Sequence, residues 1–144
     1  MAYTIIEVER KTGVASRKIR FWLDKGLFPF VERDINGVRY FSESDIEWVI
    51  WVNCYRNIGM SIKKLRQYIY LCSLGSKTLS ERLAIINEQK QKTLQDLENL
   101  QEILKKLNYK IEYYNTLIAE NKGEISPMSK DYKAMKNLKA QCKK

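Results

Sequence analysis

The 144-residue sequence contains no histidine, two prolines and three cysteines. Without histidine it lacks the commonest general base and the commonest metal ligand, which argues against an enzyme. Cys54, Cys72 and Cys142 are odd in number, far apart and not part of a CxxC pair, so they indicate neither a disulfide framework nor a zinc ribbon. We therefore expect free thiols, no metal ion and no cofactor.

Long apolar runs are also missing. No segment approaches the roughly 18 apolar residues of a membrane helix, and the N-terminus lacks the apolar core of a signal peptide. We expect a cytoplasmic protein with no membrane partner.

Positive charge is abundant, with a formal net charge of +9. Residues 1–66 carry 12 Lys or Arg against 8 Asp or Glu, residues 67–120 carry 7 of each, and residues 121–144 carry 7 against 2. A basic head and a basic tail joined by a neutral middle favour an anionic partner such as nucleic acid.

The first part of the chain predicts two short helices joined by a tight turn. Thr4 and Glu7 form a capping-box pattern ahead of a two-turn helix that Gly13 ends. Ser16 is the predicted N-cap of a second helix that runs to about Lys25. This arrangement is a helix-turn-helix.

The second helix has a basic and aromatic edge. If Ile19 and Leu23 face a core, then at about 100° per residue the opposite side is cationic and aromatic. The residues concerned are Arg17, Lys18, Arg20 and Phe21, with Trp22 partly turned inward. A solvated basic surface is the alternative, but Phe21 favours a contact outside the chain because an aromatic ring among exposed cations gains nothing from water.

Residues 27–41 change to a β pattern. Asn36-Gly37 is typical of a hairpin turn between β-branched or aromatic residues, which predicts a small two-stranded wing.

Two further helices follow the wing. The first is capped by Ser42 and Asp45, and its predicted buried stripe is Ile46, Val49, Ile50, Cys54 and Ile58. The second begins at Ser61, with Ile62, Leu65, Ile69 and Cys72 facing inward.

The last predicted helix carries a heptad repeat. Its seam, which Lys90 and Thr93 interrupt, consists of Leu79, Leu83, Ile86, Leu97, Leu100, Leu104, Leu107, Ile111, Tyr114 and Ile118. About forty helical residues extend roughly 60 Å, too far to fold back on a small head, so a partner helix is needed. The alternative, two helices of a bundle, needs a break that no Gly or Pro between Ser76 and Lys122 supplies.

We therefore predict a mainly α protein of three parts. These are a winged helix-turn-helix DNA-binding head at 1–75, a long coiled-coil dimerisation helix at 76–122, and a basic, flexible tail at 123–144.

In this order, these features resemble the MerR family of transcriptional regulators. The stretches TGVASRKIRFWLDKGLF, NGVRYFSESDI and YRNIGMSIKKL are similar to its recognition helix, first wing and second wing region, and the resemblance covers residues 3 to about 120. It implies a homodimer, joined by an antiparallel coil, that binds double-stranded promoter DNA. It also implies that the dimer bends and untwists the promoter spacer so that RNA polymerase can engage both recognition elements.

The resemblance assigns DNA contacts to three segments. They are Ser16, Arg17, Lys18, Arg20, Phe21 and Trp22 of the recognition helix, Arg39 and Tyr40 of the wing, and Arg56 of the second wing region. Family members commonly have tyrosines at the two aromatic positions. Phe21 lacks the hydroxyl with which a tyrosine would donate to phosphate, whereas Trp22 keeps an indole donor. The alternative for each residue is a solvated or packed side chain.

The sequence says less about the stimulus to which such a regulator would respond. Cys54 resembles the lone cysteine of the family branch that responds to aldehydes, electrophiles or nitrosative stress, which implies a thiol that is alkylated or oxidised. The alternative is a buried cysteine acting as a small hydrophobe. The metal-sensing relatives place cysteines where residues 108–141 contain none.

Three functions follow. The first is a dimeric regulator that senses an electrophile at Cys54. The second is a regulator that holds a hydrophobic ligand at its dimer interface, among Trp48, Trp51, Tyr55, Tyr68 and Tyr70. The third, a coiled-coil adaptor whose basic ends bind acidic proteins, leaves the recognition helix and wing without a role. An enzyme would need a paired-carboxylate site or a phosphate loop, and neither pattern is present.

Overall fold

The computed structural model describes residues 1–121, which fold mainly into α-helices, as the sequence predicts. In chain order these are α1 (Ile5–Thr12), α2 (Ser16–Asp24), α3 (Glu43–Asn57), α4 (Ile62–Ser73), a 3₁₀ turn (Ser76–Thr78) and α5 (Leu79–Ala119). The chain divides into two compact units, Met1–Gln95 and Asp96–Lys144. The predicted tail at 123–144 lies outside the described residues.

Helices α1 and α2 form the helix-turn-helix. The Thr4–Glu7 capping box begins α1, and Gly13, at φ 73°, ends it in the left-handed region that favours glycine. The predicted N-cap of α2 is wrong by one residue, because Ala15 holds that position and Ser16 is the first helical residue. The backbone N–H of Ser16 instead donates to Oε2 of Glu9, 3.1 Å away, so a carboxylate from α1 caps the positive end of α2.

The wing is present, but its two arms pair through an isolated β-bridge and not through a two-stranded ladder. Its turn spans Asp34 to Gly37, with Gly37 at φ 78° and its N–H donating to the Asp34 carbonyl at 3.0 Å. The turn therefore lies one residue earlier than the Asn36-Gly37 prediction, with Gly37 in the bulge position of a longer hairpin loop. A single bridge joins Arg33 to Arg39 below the turn.

One hydrophobic core holds the first unit together. Its largest fully buried side chain is Phe41, whose backbone is bridged to Tyr3 by two hydrogen bonds of 2.8 Å. The core residues are Val8, Val14, Ile19, Trp22, Leu23, Leu27, Phe28, Val31, Phe41, Ile46, Val49, Val52, Met60, Leu65, Ile69, Leu71 and Ile85. Every helix of the unit contributes, so the core fixes the orientation of α2 relative to the wing.

Helix α3 buries only part of the predicted stripe. Its Ser42–Asp45 capping box is confirmed, and the buried residues are Ile46, Val49 and Val52. Ile50 is 49% exposed and Cys54 is exposed, so their predicted place on the buried stripe is wrong. Apolar side chains surround most of α3, and the periodicity therefore does not distinguish the inward face.

Helix α5 runs without a break from Leu79 to Ala119, so the two-helix bundle alternative is wrong. In the first unit, Ile85 and Gln89 are buried. In the second unit the seam side chains are 48–77% exposed, namely Leu97, Leu100, Leu104, Leu107, Ile111, Tyr114 and Ile118. Over residues 1–121, none of the helices has the length and apolar character that a membrane span requires.

Candidate nucleic-acid interface

The outer edge of α2 is a basic surface. Arg17, Lys18 and Arg20 are exposed, whereas Ile19 between them is fully buried. Phe21 is 46% exposed, and the Lys25 ammonium lies 5.5 Å from its ring centroid. The cationic and aromatic edge predicted from the sequence therefore faces away from the core.

A groove between α2 and the wing extends this basic surface. It has a volume of about 360 Å³, and its lining includes the guanidinium-bearing residues Arg20, Arg33 and Arg39. Asp24 is the acidic residue in the same lining. Three arginines around one groove create an electropositive site suited to phosphate.

Arg33 was missed in the sequence analysis. Its Nη1 donates to the Gly37 carbonyl at 2.7 Å, which braces the wing turn. The signal that identifies it is the hairpin itself, because pairing across the turn places Arg33 opposite Arg39.

Arg39 has an unsatisfied donor. Its Nε is buried and has no hydrogen-bond partner among the described residues. A buried donor without a partner costs free energy.

Two more predicted contact residues, Tyr40 of the wing and Arg56 of α3, are at the surface. Tyr40 is 44% exposed. Arg56 is exposed at the end of α3, where its Nη1 donates to the Met60 carbonyl at 2.8 Å. A guanidinium has five N–H donors, so this bond fixes the side chain and leaves other donors available.

Two predicted contact residues are not on the exposed edge. Trp22 is only 3% exposed, and its ring packs edge-on against Phe28 at a centroid distance of 6.4 Å, so the expected surface indole is wrong. Ser16 is half-buried, and its backbone N–H donates to the carboxylate of Glu9. The sequence places Trp22 next to the basic edge of α2, but the structure packs its ring in the core.

An aromatic groove lies on a different part of the first unit. It has a volume of about 350 Å³ and is lined by Ser44, Glu47, Trp48, Trp51, Tyr55 and Tyr68. Trp51 stacks on Tyr55 at 5.7 Å, and Tyr55 meets Tyr68 edge-on at 5.8 Å. Burial raises the pKa of both phenols, Tyr55 and Tyr68, above the usual value, so both stay protonated donors.

The two described cysteines have different surroundings. Cys54 is a free thiol, exposed on α3. Cys72 is half-buried, and its sulfur lies 3.9 Å from Nη1 of Arg82. Among residues 1–121, no group of three or more His, Cys, Asp or Glu side chains is arranged to hold a metal ion.

Comparison with known proteins decides the family. The family described as "MerR HTH family regulatory protein" matches residues 3–71. The solved structure of HiNmlR, a MerR family regulator lacking the sensor domain and bound to promoter DNA, is 30% identical with a TM-score of 0.75. That likeness covers 85% of this chain and 97% of HiNmlR. The chain belongs to the MerR family of transcriptional regulators.

Other relatives agree with this assignment. An HTH-type transcriptional regulator of Haemophilus influenzae is 32% identical over 114 residues, which cover 79% of this chain and 84% of the relative. A MerR family regulator of Bacillus thuringiensis is 33% identical with a TM-score of 0.72, over 79% of this chain and all of that one. The HTH-type regulator AdhR of Bacillus subtilis is 32% identical over 91 residues, 63% of this chain and 65% of AdhR.

Membership of the MerR family confirms the predicted class of protein. This MerR-family chain is a transcriptional regulator and not an enzyme. The individual DNA contacts, the dimer and the signal stay predictions.

Proposed function

We propose that this MerR-family regulator binds double-stranded promoter DNA as a homodimer and distorts it to control transcription by RNA polymerase. The observation that carries the DNA-binding step is the joined basic surface of α2 and the wing, where Arg20, Arg33 and Arg39 line one groove. The solved relative HiNmlR is bound to promoter DNA, which supports the same partner for this chain.

The edge of α2 is proposed to enter the major groove. Arg17, Lys18 and Arg20 supply donors for base edges and phosphates, and an arginine recognises guanine with two parallel hydrogen bonds. Phe21, without a hydroxyl, is suited to a thymine methyl or a sugar. The ring of Trp22 acts indirectly, because its burial fixes the backbone that presents this edge.

The wing and the α3–α4 turn are proposed to bind the flanking phosphates. A phosphate bound in the groove would lie beside three cationic side chains, Arg20, Arg33 and Arg39. Tyr40 and Arg56 provide two more exposed polar groups. Such contacts set the register of the protein and make its affinity depend strongly on salt.

The homodimer is proposed to form through the exposed seam of α5. Seven apolar seam residues between Leu97 and Ile118 remain at least 48% exposed in the single chain. A continuous apolar stripe of this kind on one long helix is stabilised when a second helix covers it. A two-fold dimer then presents two α2 edges to two DNA half-sites.

The signal is proposed to act at Cys54. The thiol is exposed on α3, two residues before Arg56, so a covalent adduct there changes the surface next to a phosphate-contacting residue. Reaction with an aldehyde or another electrophile adds bulk to the sulfur and consumes its thiolate. Exposure supports this role over the alternative of a buried, inert cysteine.

The aromatic groove favours a second candidate for the signal. Its volume of about 350 Å³ lies within the range of small-molecule sites, and Trp48, Trp51, Tyr55 and Tyr68 supply flat apolar walls with phenol donors. In this alternative a hydrophobic ligand in the groove, and not a covalent adduct, regulates the protein.

One experiment separates the two signals. Transcription in vitro from the promoter upstream of the regulator's own coding sequence is measured with reduced protein, with and without a mild aldehyde. Cys54→Ser is expected to abolish the aldehyde response, whereas the matched Cys72→Ser variant retains it. A response that persists in Cys54→Ser contradicts the thiol sensor and directs attention to Trp51→Ala in the aromatic groove.

A further inference from the structure

Gln89 is a buried polar side chain on a helix whose surface is otherwise mostly exposed. It is only 7% exposed, and its side chain extends from α5 to the end of α3. Its Nε2 donates to the carbonyl oxygen of Ile58 at 2.9 Å, although the two residues are 31 positions apart. This hydrogen bond joins α5 to the α3–α4 turn inside the first unit.

The same turn carries the proposed phosphate contacts of the second wing region. Ile58 ends α3, and Ser61 caps α4 three residues later. The Met60 N–H donates to the Tyr55 carbonyl at 2.9 Å, and Arg56 donates to the Met60 carbonyl at 2.8 Å. The turn is therefore held by its own helix on one side and by Gln89 of α5 on the other.

The neighbouring ion pair is a weaker link. Lys64 Nζ lies 3.2 Å from Glu88 Oε2, but the two side chains are 34% and 52% exposed. Exposed ion pairs contribute little, whereas loss of a buried donor leaves its acceptor without a partner. Gln89 is therefore the buried polar connection between α5 and the turn, in addition to the apolar packing of Ile85.

Thr93 orients the amide of Gln89. Its Oγ1 donates to the Gln89 backbone carbonyl at 2.9 Å and lies 3.4 Å from the Gln89 Nε2. Thr93 is one of the two residues that interrupt the heptad seam, and this contact gives the interruption a structural role. The Thr93 hydroxyl therefore supports the bond between α5 and the end of α3.

We propose that Gln89 is a positioning residue that couples the long helix to the DNA-contacting turn, so that distortion of bound DNA depends on the Gln89–Ile58 hydrogen bond more than affinity does. This inference rests on the proposed DNA-binding function. The bond does not touch DNA. It fixes the turn relative to α5, and a dimer that deforms its site needs that turn to resist the restoring force of the DNA.

The test compares Gln89→Met with Gln91→Met, a matched change at an exposed position of the same helix. Duplexes are first selected by the wild-type protein from a random pool. Affinity is then measured by titration, and DNA distortion by the permanganate reactivity of thymines at the centre of the footprint. For Gln89→Met we expect at least a fivefold loss of central reactivity with an affinity change below about threefold, while Gln91→Met matches the wild type.

Two further variants keep the test decisive. Gln89→His retains an N–H donor and is expected to restore most of the reactivity. If Gln89→Met does not fold, Thr93→Val removes only the orienting hydroxyl and is expected to lower reactivity about twofold.

The possible outcomes separate the inference from the proposed function. Unchanged reactivity in Gln89→Met, or in Thr93→Val where it replaces that variant, overturns the inference, as does an equal loss of affinity and reactivity. Absence of central reactivity in the wild type instead contradicts DNA distortion by this regulator.

Discussion

Replacing Leu100 by alanine tests whether the exposed seam of α5 is the dimer interface. Leu100 is 62% exposed in the single chain and lies among seam residues of similar exposure. If a second copy covers the seam, truncation removes apolar contact area from both chains of the dimer, because symmetry repeats the change.

The magnitude follows from the area still open to solvent. Full burial of a leucine side chain is worth about 1.5–3 kcal/mol. With Leu100 62% exposed and alanine retaining only the Cβ, each chain loses roughly 1 kcal/mol, and the dimer about 2 kcal/mol. Each 1.4 kcal/mol is about tenfold in affinity, so the dimer dissociation constant rises roughly 30-fold.

Sedimentation equilibrium over a dilution series measures this constant. Glu98→Ala is the matched control, since Glu98 is exposed on the same helix and does not belong to the seam. We expect the control to dimerise like the wild type. A Leu100→Ala dissociation constant within about twofold of the control would refute the reasoning from exposed area.

Three other predictions concern the head. Arg39→Ala is expected to weaken binding to all duplexes alike and to reduce the slope of log affinity against log salt by about 1.8, because each chain of the dimer loses one phosphate contact; titration at several salt concentrations measures the slope. Trp22→Phe is expected to lower the melting temperature while DNA affinity below that temperature is unchanged, because the ring lies in the core. Hydrogen bonds from the Thr4 backbone and hydroxyl hold the pKa of Glu7 below 4.5, so this carboxylate stabilises the fold above pH 4.5 and loses that effect as pH falls through its folded pKa. Glu7→Gln is therefore expected to lower the melting temperature at pH 7 more than at pH 3. An equal decrease at both pH values contradicts the cap.

Most of the fold was predictable because local signals agree with the global structure. The capping boxes at Thr4 and Ser42 and the glycine at position 13 mark helix ends that the structure confirms. The heptad repeat predicts one uninterrupted helix, which α5 is over Leu79–Ala119. These features depend on residues close in sequence, so periodicity and cap chemistry are sufficient.

The errors arose where a distant residue decides the outcome. Ser16 has the side chain of an N-cap, but Glu9 from the preceding helix takes that role. Ile50 and Cys54 fit the same apolar stripe as Val49, but they are exposed and Val52 is buried instead. Packing partners that lie elsewhere in the chain select one apolar face over another, and periodicity alone does not contain that information.

The candidate interface was partly predictable for the same reason. The basic edge of α2 follows from helix geometry, and the structure places Arg17, Arg20 and Phe21 on the exposed side. The groove that joins Arg20 to Arg33 and Arg39 depends on how the wing packs beside α2, which no local pattern determines.

The most direct test of the account is selection of DNA from a random duplex pool by the full-length protein, followed by hydroxyl-radical footprinting of the enriched sequence. The account predicts an enriched inverted repeat with two protected half-sites on one face of the duplex, as two α2 edges of a symmetric dimer require. Recovery of no enriched sequence, or protection of a single asymmetric site, would contradict it.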